Sequence, residues 1–142
     1  MKFVKPVRRV EKVFLHCSDS DYKIHDDISI IKKWHVEENK WSDVGYHFFI
    51  KKDGTIQEGR KLDRIPAAQV GHNTGSIAIC LSGKIDFTKK QFESLFNLCL
   101  QIDTAYKSAI TFHGHKEVAS GRSCPNFDYQ KVLNLKNGKI IK

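Results

Sequence analysis

The run SIAICLSG at residues 76 to 83 places five apolar side chains in succession, Ile77 to Leu81, with no polar alternation. A strand with one wet face alternates at period two, and a helix needs roughly ten residues or more. A run this short, bounded by Gly75 and Gly83, therefore reads as a central strand covered on both faces. Such a strand needs a layer on each side of its sheet. The chain has helical signals to supply them. Asp26 or Asp27 can cap a helix through ISIIKKWHVEE, where Ile28, Ile31 and His35 recur at helical spacing. Thr88 opens a second helix whose apolar face is Phe92, Leu95, Phe96, Cys99, Leu100 and Ile102, ending near Tyr106. Asp128 can cap a last one through Val132 and Leu133.

Strand signals interleave with these helices at EKVFLH (11 to 16), GYHFFIK (45 to 51) and AITF (109 to 112). Asp53-Gly54 reads as a tight turn from the second of them into TIQEG. The expectation is a single α/β domain over residues 1–142, with a central mixed β-sheet flanked by helices and an antiparallel hairpin at its edge.

At 142 residues the chain can bury one substantial core. No apolar run approaches the roughly 18 residues of a membrane span, so no transmembrane segment is expected. Pro6, Arg8 and Arg9 interrupt the opening stretch, which predicts no signal peptide and accumulation in the cytoplasm. Cys80 and Cys99 sit in apolar surroundings and read as small buried hydrophobes. The four cysteines show no CxxC spacing, and no disulfide framework is expected. The net charge of +8 calls for a polyanionic surface: nucleic acid, anionic lipid or an acidic wall polymer. That charge is spread from Lys2 to Lys142 without a helix-turn-helix, zinc-finger or RNA-binding signature, so no specific nucleic-acid partner is expected.

The loop HKEVASGRSCP (115 to 125) carries a soft pair, His115 and Cys124, and suggests a metal site in need of a further ligand. The histidines available are His16, His25, His35, His47, His72, His113 and His115. His16 ends a strand, where functional side chains are commonly presented. His35 falls on the apolar side of its helix and reads as packed, whereas His25 sits in a charged loop. His113 and His115 bracket Gly114, so either can be the ligand. Tyr46 and His47 are neighbours on a strand and point to opposite faces, so only one of them faces a cleft.

Four segments, in order, give the chain a resemblance to a known family: FLHCSDS, KKWHVEENKWSDVGYHFFIKKDGTIQEGR, GHNTGSIAICLSG and GHKEVASGRSCPNFD. From about Val13 to Phe127 it resembles the zinc N-acetylmuramoyl-L-alanine amidases of the phage-lysozyme type, which share their fold with peptidoglycan recognition proteins. The resemblance implies Zn2+ held by His16, His115 and Cys124, which disfavours His113. It implies Tyr46 as a catalytic residue and places Arg122 where the phage enzymes usually carry a catalytic lysine, in a loop one residue longer than theirs. An Arg does not deprotonate, so its expected role is oxyanion stabilisation. Gln69, His72 and Asn73 fall in the segments assigned to the substrate groove, although Gly71, Asn73 and Gly75 also suit a plain polar turn.

The implied reaction is hydrolysis of the amide between the muramic acid lactyl group and L-alanine in bacterial peptidoglycan. The implied setting is a compact, monomeric phage or prophage endolysin, cytoplasmic until lysis releases it to the wall. A non-catalytic wall-binding module is the main rival, and the presence of Cys124 favours catalysis. A regulatory partner of a phage RNA polymerase is a further alternative, since a relative acts so; no interface for it is marked in the sequence.

Overall fold

A computed structural model describes residues 1–40 and 43–141. Trp41 and Ser42, within the second family-like segment, lie outside the described residues, as does Lys142. The chain runs β1 (Lys12–Cys17), α1 (Ile28–Lys33), β2 (Phe48–Ile50), β3 (Ile56–Glu58), β4 (Ser76–Leu81), α2 (Lys89–Ala105), β5 (Thr111–Gly114), α3 (Tyr129–Val132), β6 (Leu135–Lys136) and β7 (Lys139–Ile140).

Strand β4 is buried at every position and lies at the centre of a five-stranded sheet ordered β3-β2-β4-β1-β5. It pairs parallel with β1, Ser76 opposite Lys12 through Leu81 opposite Cys17, and parallel with β2. β5 adds to β1 in parallel, and only the edge strand β3 is antiparallel, closed onto β2 through the Asp53-Gly54 turn. Gly54 sits at φ +88, a conformation that suits glycine in such a turn.

One face of the sheet is sealed by α2. Thr88 accepts a bond from Gln91 N while the Gln91 side chain accepts from Thr88 N, satisfying two otherwise orphaned helix-start donors. Leu95, Leu98, Cys99 and Ile102 then pack on Val13, Leu15, Phe48, Ile77 and Ile79. Burying each such aliphatic side chain contributes about 1.5–3 kcal/mol. On the other face a smaller cluster of Ile31, Val44, Phe49 and Cys80 packs with Ile28, Trp34 and Tyr46. Asp27 caps α1 by accepting from Ser29 N.

Several local expectations shift. The helix expected through Glu38 is α-helical only to Lys33 and continues as a π turn, Trp34–Glu38. The strand expected at 109 to 112 lies at Thr111–Gly114, where its register against β1 puts it. The 45 to 51 signal gives strand only over Phe48–Ile50, leaving Tyr46 and His47 in irregular backbone. A short hairpin, β6–β7, follows α3 and was not expected; Asn137 and Gly138, both at positive φ, make its two-residue turn. No described helix is long and apolar enough to cross a membrane.

Candidate metal centre

Two adjacent parallel strands bring the chemistry to one end of the sheet. β1 and β5 are neighbours, so His16, near the end of β1, and His115, just after β5, approach each other with ring centroids 4.6 Å apart. Cys124 joins them from the loop beyond. Its carbonyl accepts from the backbone N–H of Lys116 at 2.8 Å, which closes the base of the loop and sets the second histidine beside the cysteine. One donor atom from each of His16, His115 and Cys124 lies within 4.8 Å of the others. Among the described residues this is a possible His/His/Cys metal site, and it opens on a cleft of about 290 Å³.

Both imidazoles are held neutral, the form that ligates. Burial pushes His16, only 1% exposed, down to about 3, with the neighbouring His115 adding to the effect. Burial lowers His115 as well, assisted by the positive charge of Arg122. The Cys124 thiol interacts with the Cys17 thiol 3.8 Å away, and that contact together with burial pushes it up. A cation beside it would displace the proton, because thiolate is the ligating form.

Tyr46 and Arg122 both line the cleft. The Tyr46 ring packs 5.2 Å from the His16 ring and 5.5 Å from that of His35. Burial raises the Tyr46 phenol, with nearby cysteine thiols acting in the same direction, so it remains an O–H donor at neutral pH. Arg122 is exposed on the loop, whose turn is tied by Arg122 N to Ala119 O. His47, the alternative to Tyr46, does not line the cleft. Its Nδ1 accepts from Ala78 N at 3.1 Å and its Nε2 donates to Arg64 O at 2.8 Å, so the ring stands in for backbone pairing beside β4.

His113 is likewise engaged elsewhere, between Thr111 Oγ1 at 2.7 Å and Glu117 Oε1 at 2.9 Å. The same Glu117 carboxylate accepts from Gly114 N and from the Tyr129 hydroxyl, anchoring the turn that carries His115. His35 accepts from Gly45 N through Nδ1, and Cys80 and Cys99 are fully buried as expected.

None of the three residues expected at the substrate groove, Gln69, His72 and Asn73, lines this cleft. Gln69 is fully buried behind the site, with its Oε1 2.8 Å from His16 Nε2. Asn73 is spent on its own loop, its Oδ1 accepting from Ala68 N and Gln69 N. His72 is exposed, with its ring 6.3 Å from Phe14, and does not line the cleft. The polar-turn reading thus describes Asn73, and neither Gln69 nor Asn73 offers its side chain to a ligand in the cleft. Sequence reasoning also missed the backbone N–H of Cys17 as a donor to Cys124 Sγ, which no side-chain pattern can announce.

The chain is similar to known proteins over most of its length. The chain is 36% identical over 135 residues to an endolysin of Enterobacteria phage T3, covering 89% of this chain and 87% of that one. Among solved structures it is similar to the N-acetylmuramoyl-L-alanine amidase LysC from Clostridium intestinale, with a TM-score of 0.77, 28% identity, and 91% and 88% of the two chains covered. Peptidoglycan recognition protein SA of Apis mellifera shares the fold at TM-score 0.73 and 24% identity, over 91% of this chain and 84% of that one. The family model described as N-acetylmuramoyl-L-alanine amidase matches residues 6–127, spanning β1, the cleft and the cysteine loop alike, and the chain belongs to that family.

Proposed function

We propose that this amidase cleaves the bond between the lactyl carbonyl of N-acetylmuramic acid and L-alanine with a zinc ion held by His16, His115 and Cys124. The observation that carries the reading is the approach of those three donors to within 4.8 Å at the floor of an open cleft. Two neutral imidazoles and a thiolate are a donor set that suits zinc. Zinc bound there would supply a Lewis acid that activates water at neutral pH and polarises the scissile carbonyl.

The chain's own residues do the rest. Tyr46, kept protonated by burial, donates a hydrogen bond towards the carbonyl oxygen as negative charge builds on it. Arg122 adds a fixed positive charge from the loop and holds its proton throughout. The proton lost by the attacking water must reach the departing L-alanine nitrogen, and the role of relaying it falls to Tyr46, a neutral phenol among the residues that line the cleft. Ser123 and Asn126 line both the cleft and an adjoining groove of about 570 Å³ flanked by Lys84 and Lys116, whose ammonium groups suit the carboxylates of a stem peptide.

The role is that of a phage endolysin, as in the T3 relative. The test is zinc content and release of peptides with free L-alanine amino termini from purified wall. His16→Ala, His115→Ala and Cys124→Ala are each expected to lose both. A chelated, zinc-free enzyme that cuts at the undiminished rate would overturn the proposal.

A further inference from the structure

We infer that Gln69 is a positioning residue that locks the His16 ring in the tautomer carrying its proton on Nε2, so that Nδ1 faces the cation. The inference rests on the zinc reading above and goes beyond it, because it concerns how one ligand is prepared rather than which residues ligate.

A chain of buried hydrogen bonds runs behind the His16 ring. Gln69 Oε1 lies 2.8 Å from His16 Nε2. A side-chain amide can be turned end for end, so its orientation must be read from its other partners. Gln69 Nε2 lies 3.3 Å from the carbonyl oxygen of His72, which can only accept. It also lies 2.7 Å from Ser76 Oγ. The Ser76 hydroxyl has already given its proton to the Asn73 carbonyl at 2.8 Å, so towards Gln69 it too must accept.

Both contacts require the NH₂ end of Gln69, and its oxygen is therefore the end facing His16. An amide oxygen cannot donate, so the proton between them belongs to His16 Nε2. That leaves Nδ1 with the free lone pair.

The supporting frame is rigid. Asn73 Oδ1 accepts from the backbone N–H groups of Ala68 and Gln69 at 3.0 and 2.9 Å, fixing the turn from which the Gln69 side chain departs. Gln69 and Ser76 are both buried, so water cannot replace a lost partner cheaply. Groups that hold the far nitrogen of a ligating histidine commonly contribute about 10–100-fold in metal affinity.

Zinc affinity, measured by competition with a chelator, is expected to fall about 10–100-fold in Gln69→Leu, which removes the acceptor. Gln69→Glu restores an acceptor to Nε2–H and is expected to recover most of that loss, a rescue that a merely space-filling role would not produce. Long-range proton–nitrogen correlation spectra of the wild-type protein provide a readout independent of any variant's folding. They are expected to show the His16 proton on Nε2 before and after zinc is added.

A wild type that binds zinc with the His16 proton on Nδ1 would overturn the inference. So would a Gln69→Leu protein that holds zinc within twofold of wild type, or equal losses in the Leu and Glu variants. A wild type that binds no zinc while the Nε2 proton is observed would instead sink the zinc reading and leave the tautomer assignment standing.

Discussion

The backbone N–H of Cys17 points at Sγ of Cys124 from 3.2 Å, joining two residues 107 positions apart in sequence. A main-chain donor aimed at sulfur favours its thiolate form and fixes where that charge sits. Because the donor is backbone, it survives replacement of the Cys17 side chain.

Cys17→Ala is therefore expected to keep zinc within about tenfold of wild-type affinity and to retain most wall-cutting activity, a modest outer-shell effect. Cys124→Ala, which removes a direct ligand, is expected to lose both. Zinc titration and a turbidity assay on purified wall, run on the two variants side by side, check the contrast.

Tyr46→Phe removes the hydroxyl of a cleft-lining residue and leaves the three donors in place. Zinc content should be unchanged, and kcat should fall about 10²–10³-fold, the usual loss for one oxyanion donor. Arg122→Lys should retain more activity than Arg122→Ala, since the charge survives while its planar fork does not. Steady-state rates on a soluble muropeptide separate these outcomes from changes in KM.

Gly114→Ala should destabilise the fold by about 1–3 kcal/mol. Gly114 has an ordinary φ of −89, so the cost is purely steric. A Cβ there would stand 2.5 Å from the Tyr129 ring and 3.0 Å from Pro125. Tyr129 is tied to Glu117, so relief must come by moving the end of β5 and with it His115. Urea unfolding gives the stability change, and zinc affinity is expected to weaken in the same variant.

His47 makes the protein sensitive to acid. Burial holds its folded pKa near 4, below the ordinary 6.5, with Arg8 and Arg60 adding to the effect against a favourable bond to Arg64 O. Between these values the unfolded chain binds a proton that the folded chain refuses, so stability falls as pH drops from 6.5 to about 4. The loss amounts to about 3 kcal/mol if the whole shift is realised. Replacing the ring by Gln should flatten the slope of unfolding free energy against pH across that window by about one proton, as read by urea titrations.

The fold was most legible where one residue type has one physical use. An unbroken apolar run could only be the doubly covered β4, and Thr88 with Gln91 could announce the start of α2 because capping is local. Strand ends were less legible. Whether β5 begins at Ala109 or Thr111 is decided by pairing with β1, about a hundred residues earlier. The β6–β7 hairpin has strands of two residues each, too short for any alternation, and only its Asn137-Gly138 turn could have betrayed it.

The candidate site divides the same way. His16, His115, Cys124 and Tyr46 belong to family-like segments, and the structure brings them to one cleft. Gln69 belongs to such a segment too. Its place behind His16 depends on Ser76, the His72 carbonyl and burial, none of which is a property of Gln69 itself.

The single peptide-to-peptide link from Lys116 to Cys124 divides the polypeptide between them from the framework that presents the donors. Within that clasp Glu117 stays tied to Gly114 and Tyr129, whereas the exposed stretch that carries Arg122 can change its span and its cation while histidine and cysteine stay in step. A scaffold built this way can retune which walls it attacks, and how fast, without rebuilding its anchorage.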